Sequence, residues 1–405
     1  IATNEVVPGD PQPPGSIFDV FNAFLGSSTG SNPVYAVNGD GSMVTGWPVQ
    51  VGVLAGDLLP MVLPGNDAAV VDVDRDGNDE VSVAAGTSLS GQGPKLVDGD
   101  GSTIRTFQAA AANCPDQGDV INLADYPSVG DLAGDGSPDV VKGGLTLNGA
   151  ANLLAVNQNL PFCHVEQAWN AATGAALPGY PRATDDFQLL SQASIARVAG
   201  GGPQRQALVG TGLYQLHAYG PTGQEAPSWP KFTGGWTQST PAVGDADGNG
   251  TLDVAAVTRE GWSFLWRTAV PTCGDSNNQW WTFHHDEHGT GNYGFDGRPP
   301  GTPRSLLARR NAGGSVLVSW NQPGDDWLCG GHNGLARYRV IASTDPIAHP
   351  DEGRVLATTA ASGGAGQAIS RTFTQAQIGA ARHIAVLYRD NVGNWGLLRS
   401  VPITG

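Results

Sequence analysis

The sequence predicts an all-β protein in two parts: an array of short-stranded repeats, then an immunoglobulin-like sandwich. Three observations lead there. Fifty-eight Gly and 28 Pro in 405 residues, with only 14% charged residues, imply many turns and few long helices, while 40% apolar content is too much for a disordered chain. An acidic loop recurs between residues 33 and 297, and after RPPGTP (298–303) the texture changes to longer alternating strands. A chain of this length also exceeds what one core usually serves, so more than one domain is expected.

Charge narrows the partners. The formal net charge is −16, and Lys95, Lys142 and Lys231 are the only lysines. Phosphate binding needs a basic face that this composition does not supply, so nucleic acid is excluded and cations are the natural partners. No stretch of about 18 uninterrupted apolar residues is present, so no membrane span is expected. The first residue is Ile1 rather than Met, which reads as a mature or trimmed product whose signal peptide has been removed, hence extracellular, secreted or at the cell surface. Residues 1–32 read as an N-terminal extension.

Cys114, Cys163, Cys273 and Cys329 are widely spaced without a CxxC, against zinc and against a redox motif. In a secreted protein they form two disulfides, and three pairings are open. Cys114 with Cys163 and Cys273 with Cys329 is the favoured pairing, the second tying two domains together; buried thiols are the alternative.

The array rests on the acidic loop. In DVDRDGNDE (72–80), Asp72, Asp74, Asp76 and Glu80 stand at loop positions 1, 3, 5 and 9. In DADGNGTLD (245–253), Asp245, Asp247, Asn249 and Asp253 do the same. DLAGDGSPD (131–139) keeps Asp131, Asp135 and Asp139, with Ala133 at position 3. The interval from Asp131 to Asp245 is nearly twice that from Asp72 to Asp131, which predicts a further copy between them. IARVAGGGPQRQALV (195–209) fills it: aligned without a gap on VGDADGNGTLDVAAV (243–257), it sets Arg197 opposite Asp245 and Arg205 opposite Asp253.

A second marker, a turn followed by an aromatic, recurs in NGDGSMVTGWP (38–48), DGDGSTIRTF (98–107), ATGAALPGYP (172–181) and PTGQEAPSWP (221–230). Four repeats of roughly sixty residues, each with short alternating strands, are the signature of a β-propeller or related array. The pattern resembles the FG-GAP repeats of integrin α-subunit propellers and their bacterial relatives, over residues 33–297. Propellers of that family usually close with about seven blades, and four to five are recognisable here. A small closed ring, degenerate blades and completion by a second chain all remain open.

The loop has the form of a calcium site. Alternate residues send hard oxygens inward, the Gly at position 6 permits a sharp turn, position 7 (Asn78, Ser137, Thr251) offers a main-chain carbonyl, and position 9 closes with a carboxylate. Ca2+ suits such a set, whereas soft metals prefer Cys or His. The competing reading is a self-contained Asx turn. The loop at Asp131 lacks one ligand and reads as a weaker site. Arg197 and Arg205 imply no metal in their own repeat, a guanidinium standing in as cross-link.

In residues 304–405, GSVLVSWNQP (314–323), ARYRVIAST (336–344) and RHIAVLYRDNVGNWG (382–396) alternate as sandwich strands. The run looks like a fibronectin type III module, with Trp320 as core tryptophan and Tyr338 and Tyr388 packing with it.

Catalytic patterns are few. WWTFHHDEHGTGNYG (280–294) gathers His284, His285, Asp286 and His288, but without HExxH spacing or a helix to align imidazoles, and it resembles the segment that closes bacterial propellers of this type. No GxSxG elbow, P-loop or Rossmann fingerprint occurs. The resulting expectation is a non-catalytic, calcium-binding recognition, adhesion or assembly protein with a protein or polysaccharide ligand. The alternatives are a polysaccharide lyase and the accessory part of a larger secreted hydrolase or protease. Trp229, Trp236 and Trp262 read either as blade packing or as a binding surface.

Overall fold

The computed structural model describes residues 33–50, 68–83, 92–108, 120–121, 126–146, 148, 161, 163–186, 188, 191–274, 279–327, 329 and 334–405. The N-terminal extension and Cys114 lie outside them. Contacts divide the chain into two units. One comprises Ile1–Gly244, Leu252–Val270 and Asn278–Phe295; the other comprises Asp245–Thr251, Pro271–Asn277 and Asp296–Gly405.

The first unit is built from small antiparallel sheets, as its Gly-punctuated strands require. Strands β1 (Pro33–Val34) and β2 (Val49–Gln50) pair, and β3 (Ala68–Val71), β4 (Glu80–Val83), β5 (Gln92–Val97) and β6 (Thr103–Gln108) follow as a four-stranded sheet in chain order. Next come β7 (Val120–Ile121), β8 (Ser128–Gly130), β9 (Asp139–Thr146), β10 (His164–Asn170) and β11 (Arg182–Thr184), in which β7 and β8 both pair with β9. Strands β12 (Ser194–Ala196), β13 (Gln206–Gly210), β14 (Gln215–Tyr219) and β15 (Lys231–Phe232) form another four-stranded sheet, and β16 (Ala242–Gly244), β17 (Thr251–Val257) and β18 (Ser263–Pro271) a three-stranded one.

Strands β9 and β13 are buried along their whole length, the polar Asp139, Lys142 and Gln206 included. One apolar cluster draws Val71 and Phe107, Val129 and Trp169, and Ile195 from three successive sheets, with Trp280 of the histidine-rich segment.

The turn-and-aromatic marker has a structural cause. Gly46, Gly179 and Ser228 have φ of 89°, 78° and 69°, and each precedes an aromatic joined to proline by a cis bond: Trp47–Pro48, Tyr180–Pro181 and Trp229–Pro230. The indole of Trp47 donates to the Gly99 carbonyl at 2.9 Å, and the Tyr180 hydroxyl donates to the Gly220 carbonyl at 3.0 Å. The marker therefore fastens one repeat to the glycine turn of another. Gly46 and Gly179 sit where backbone meets backbone: a Cβ there would lie 1.6 Å from the Asp100 carbonyl oxygen and 2.1 Å from that of Thr222.

The second unit contains β19 (Arg304–Arg310), β20 (Val316–Asn321), β21 (Leu335–Ser343), β22 (Arg354–Ala360), β23 (Ala368–Phe373), the one-turn helix α1 (Gln375–Ile378), β24 (His383–Asp390) and β25 (Arg399–Thr404). They hydrogen-bond in the order β22-β21-β24-β25-β19-β20-β23, with β19 and β25 parallel and the other pairs antiparallel. Both halves of that order share one core around Trp320, Tyr338 and Tyr388. The Trp320 indole donates to the Tyr388 hydroxyl at 2.8 Å, and that hydroxyl donates to Gln322 Oε1 at 3.5 Å, so both buried polar aromatics find partners within the fold.

Cys273 and Cys329 are disulfide-bonded, and both fall in the second unit. Cys163 is also disulfide-bonded. Among the described residues no helix is long and apolar enough to cross a membrane.

Candidate metal centre

The four repeated loops are the connections of four hairpins: β3–β4, β8–β9, β12–β13 and β16–β17. In three of them the ladder ends on the same register, pairing Val71 with Glu80, Gly130 with Asp139 and Gly244 with Asp253. The position-9 carboxylate thus stands at the loop end of the ladder, and it is buried in all three. The position-6 glycines, Gly77, Gly136 and Gly250, have φ of 91°, 87° and 92°, a conformation that any Cβ disfavours. Their N–H groups donate to the position-1 carboxylates of Asp72 (3.1 Å), Asp131 (3.1 Å) and Asp245 (2.9 Å).

Asx turns lace each loop as well. The position-5 side chains of Asp76, Asp135 and Asn249 accept from the backbone N–H of Asn78, Ser137 and Thr251 at 2.8, 2.8 and 2.7 Å. Such turns leave lone pairs over, because an ionised carboxylate can accept about four hydrogen bonds.

In the first and last loops the remaining oxygens converge. Asp72, Asp74 and Glu80 each offer an atom within 4.8 Å of the others, and so do Asp245, Asp247 and Asp253. Asp76 stands outside the first group, both of its oxygens accepting from the Asn78 amide at 3.1 Å. The first group fits a hard cation. Its donors are all oxygens, and Asp72 Oδ1 is buried without a hydrogen-bond partner among the described residues. Burial raises the Glu80 pKa, the charges of Asp74 and Asp72 add to that rise, and the Val73 N–H donating at 2.6 Å opposes it. A divalent ion among these oxygens would relieve both the burial penalty and the repulsion.

The loop at Asp131 differs. Asp131, Asp135 and Asp139 do not form such a group among the described residues. Instead Arg205 Nη1 lies 3.1 Å from Asp131 Oδ2 and also donates to the Asp131 carbonyl at 2.7 Å, with both side chains nearly buried. Burial, with the charges of Asp135 and Asp131 behind it, pushes Asp139 up to about 7.

The loop of Arg205 corrects the gapless alignment. Ala196 pairs with Gln206, not with Arg205, so the β12–β13 loop is one residue longer than the others. Gln206 takes the position-9 role, its Oε1 accepting from the N–H of Val198 and Ala199 at 3.0 Å each. Arg205 is thereby released to reach the loop of the preceding hairpin. Arg75 makes a similar bridge, donating to the Gly136 carbonyl at 2.8 Å.

The histidine-rich segment is knitted into several hairpins. Trp280 and Trp281 carbonyls accept from Ile195 and Val243, and Gly291 and Tyr293 bond on either side of Val70 in β3. His285 is fully buried, 2.8 Å from Asp286, with its ring edge-on to Trp280. Trp262 is 59% exposed, whereas Trp229 and Trp236 are half-buried beneath Lys231 and Arg259.

Sequence reasoning passed over a third carboxylate group, Asp296, Asp325 and Asp326, whose members likewise approach within 4.8 Å. The Asp-Asp step beside Cys329 was its only linear signal.

The described residues thus define an all-β protein with acidic clusters able to hold a metal ion. No protein-family model matches the chain, and no curated protein sequence matches it. Among solved structures, the computationally designed Ika4 protein is 14% identical, with 55% of this chain and 100% of that chain covered and a TM-score of 0.27. BBS1N in complex with ARL6DN is 13% identical over 72% and 69% of the two chains, with a TM-score of 0.32. A DUF3823 family protein from Bacteroides ovatus is 6% identical over 52% and 98%, with a TM-score of 0.21.

Proposed function

We propose that this chain is a calcium-stabilised β-propeller of the FG-GAP type with a fibronectin type III-like domain, working outside the cell in recognition, adhesion or assembly rather than catalysis. One observation carries this reading: two hairpin loops at equivalent places in a repeat each draw three carboxylates to within 4.8 Å. The disulfide between Cys273 and Cys329 supports an oxidising compartment, where free calcium is high. In this reading Asp72, Asp74 and Glu80 hold one ion, with the Asn78 carbonyl, and Asp245, Asp247, Asn249 and Asp253 hold another, with the Thr251 carbonyl. The loop at Asp131 is closed by Arg205 instead of an ion.

The ion's role is structural. With a dissociation constant near ~10⁻⁵ M and free calcium near ~10⁻³ M, each site stabilises the folded chain by about 2.7 kcal/mol. Calorimetric unfolding with calcium and with excess EDTA tests this: a clear fall in melting temperature on chelation supports it, and superimposable curves reject it. Arrays of polysaccharides and extracellular proteins probed with the calcium-loaded chain test the recognition role. New ultraviolet absorbance from an unsaturated polysaccharide product would make the chain a lyase instead.

A further inference from the structure

We propose that Asp296, Asp325, Asp326 and Asp390 form a separate calcium site in the second unit, unrelated to the repeated hairpin loops. The four carboxylates come from three segments. Asp296 precedes the RPPGTP stretch, Asp325 and Asp326 follow β20, and Asp390 ends β24. Backbone contacts draw these segments together: Trp327 N–H donates to the Pro299 carbonyl at 2.9 Å, and the Asn394 amide donates to the Asp296 carbonyl at 2.8 Å.

The Asp326–Cys329 turn is closed by reciprocal backbone bonds of 3.1 and 2.8 Å, and the disulfide to Cys273 pins it. Glycines permit the close approach. A Cβ at Gly334 would fall 1.4 Å from Asp325 Oδ2, and one at Gly396 would fall 2.0 Å from the Pro300 carbonyl oxygen.

An independent observation points to a ligand. Asp390 is 1% exposed. Its Oδ1 accepts from the N–H of Gly393 and Asn394 at 2.5 and 2.7 Å, but its Oδ2 is buried without a hydrogen-bond partner among the described residues. Asp296 Oδ1 and Asp325 Oδ1 are in the same condition. Asp390 is tied to the other three by Asn394, whose N–H donates to Asp390 Oδ1 at 2.7 Å while its side-chain amide donates to the Asp296 carbonyl at 2.8 Å.

The buried cation alongside is Arg298, whose guanidinium lies 4.4 Å from the Trp327 ring centre. Among the described residues the charge of Arg298 stands against four carboxylates, and such an excess of buried negative charge calls for a counter-ion or protons. The donors are all carboxylate oxygens, and the nearby Cys329 sulfur is committed to its disulfide. A hard ion that accepts six to eight oxygens in irregular geometry suits them, so calcium is preferred over magnesium and over soft metals.

The test uses the full chain, with Asp74→Asn and Asp247→Asn introduced together to weaken the hairpin loops. Calcium is counted by equilibrium dialysis. Terbium is followed by emission on indole excitation, with Trp327 as sensitiser. The wild-type chain is expected to bind about three ions and the double variant to keep about one. Adding Asp325→Asn abolishes that last ion and its terbium emission, whereas Trp327→Phe dims the emission and leaves the calcium count unchanged. Asp390→Asn serves in place of Asp325→Asn if the latter loses its near-ultraviolet circular dichroism. A wild-type count of two with none left in the double variant overturns this site and leaves the hairpin loops standing; one ion left in the double variant with a wild-type count of one does the reverse. A count of zero overturns both.

Discussion

The guanidinium of Arg205 lies 3.1 Å from the carboxylate of Asp131, both side chains nearly shielded from water and 74 residues apart in sequence. A repeat built around acidic loops thus has one loop whose positive charge comes from a neighbouring hairpin.

That pair gives the first prediction. Arg205→Ala leaves Asp131 buried and unpaired, and urea unfolding in EDTA is expected to show a loss of about 3–5 kcal/mol. Arg205→Lys should recover part of it as a point charge without the forked geometry. A loss below about 1 kcal/mol for Arg205→Ala would mean that the pair contributes no more than an exposed one.

A histidine sets a pH dependence. His217 lies 3.1 Å from Asp185 and 2.8 Å from Glu225. Burial alone would lower its pKa, but the hydrogen bonds and charges of these two carboxylates outweigh burial and raise it. A raised folded-state pKa means that the contribution to stability is fully present below the unfolded value, about 6.5, and is lost as pH rises through the folded value. The stability difference between wild type and His217→Gln should therefore shrink as pH rises above the unfolded value of about 6.5. A difference that stays constant or grows as pH rises above that value contradicts the assignment.

In the second unit the Trp320 indole donates to the Tyr388 hydroxyl, which in turn donates to Gln322 Oε1 at 3.5 Å. Tyr388→Phe strands a buried N–H and is expected to cost about 1–3 kcal/mol by denaturant titration. A neutral result would show that the indole finds another acceptor.

The repeat marker predicts a contrast between glycines. Gly46→Ala forces a Cβ against the Asp100 carbonyl at a φ of 89°, and Gly179→Ala does the same against Thr222. Each should cost at least about 1–3 kcal/mol. Gly41 has a similar φ of 86° but open space around it, so Gly41→Ala should cost only about 1–2 kcal/mol. Equal losses in thermal unfolding would show that close approach is not what fixes glycine at Gly46 and Gly179.

Local features were the legible ones. Alternation in VLVSWN follows from side chains within a few residues of each other, and so do the turns at Gly77, Gly136 and Gly250; Trp320, Tyr338 and Tyr388 share one core because each falls on the inward face of its own alternating strand. Arg205 was read against the wrong partner because a single inserted residue leaves the sequence alignable without a gap while moving the ladder so that Ala196 meets Gln206. Asp296, Asp325 and Asp390 were invisible for a different reason: long-range strand pairing brings them together, and no spacing rule encodes that.

The central claim is that divalent ions neutralise the acidic hairpin loops. Anomalous diffraction from calcium-grown crystals, at a wavelength where calcium scatters strongly, tests it most directly. Peaks are expected between Asp72, Asp74 and Glu80 and between Asp245, Asp247 and Asp253, with none beside Asp131, where Arg205 already stands. Crystals with ample calcium but no peak in either of the first two loops would contradict the account.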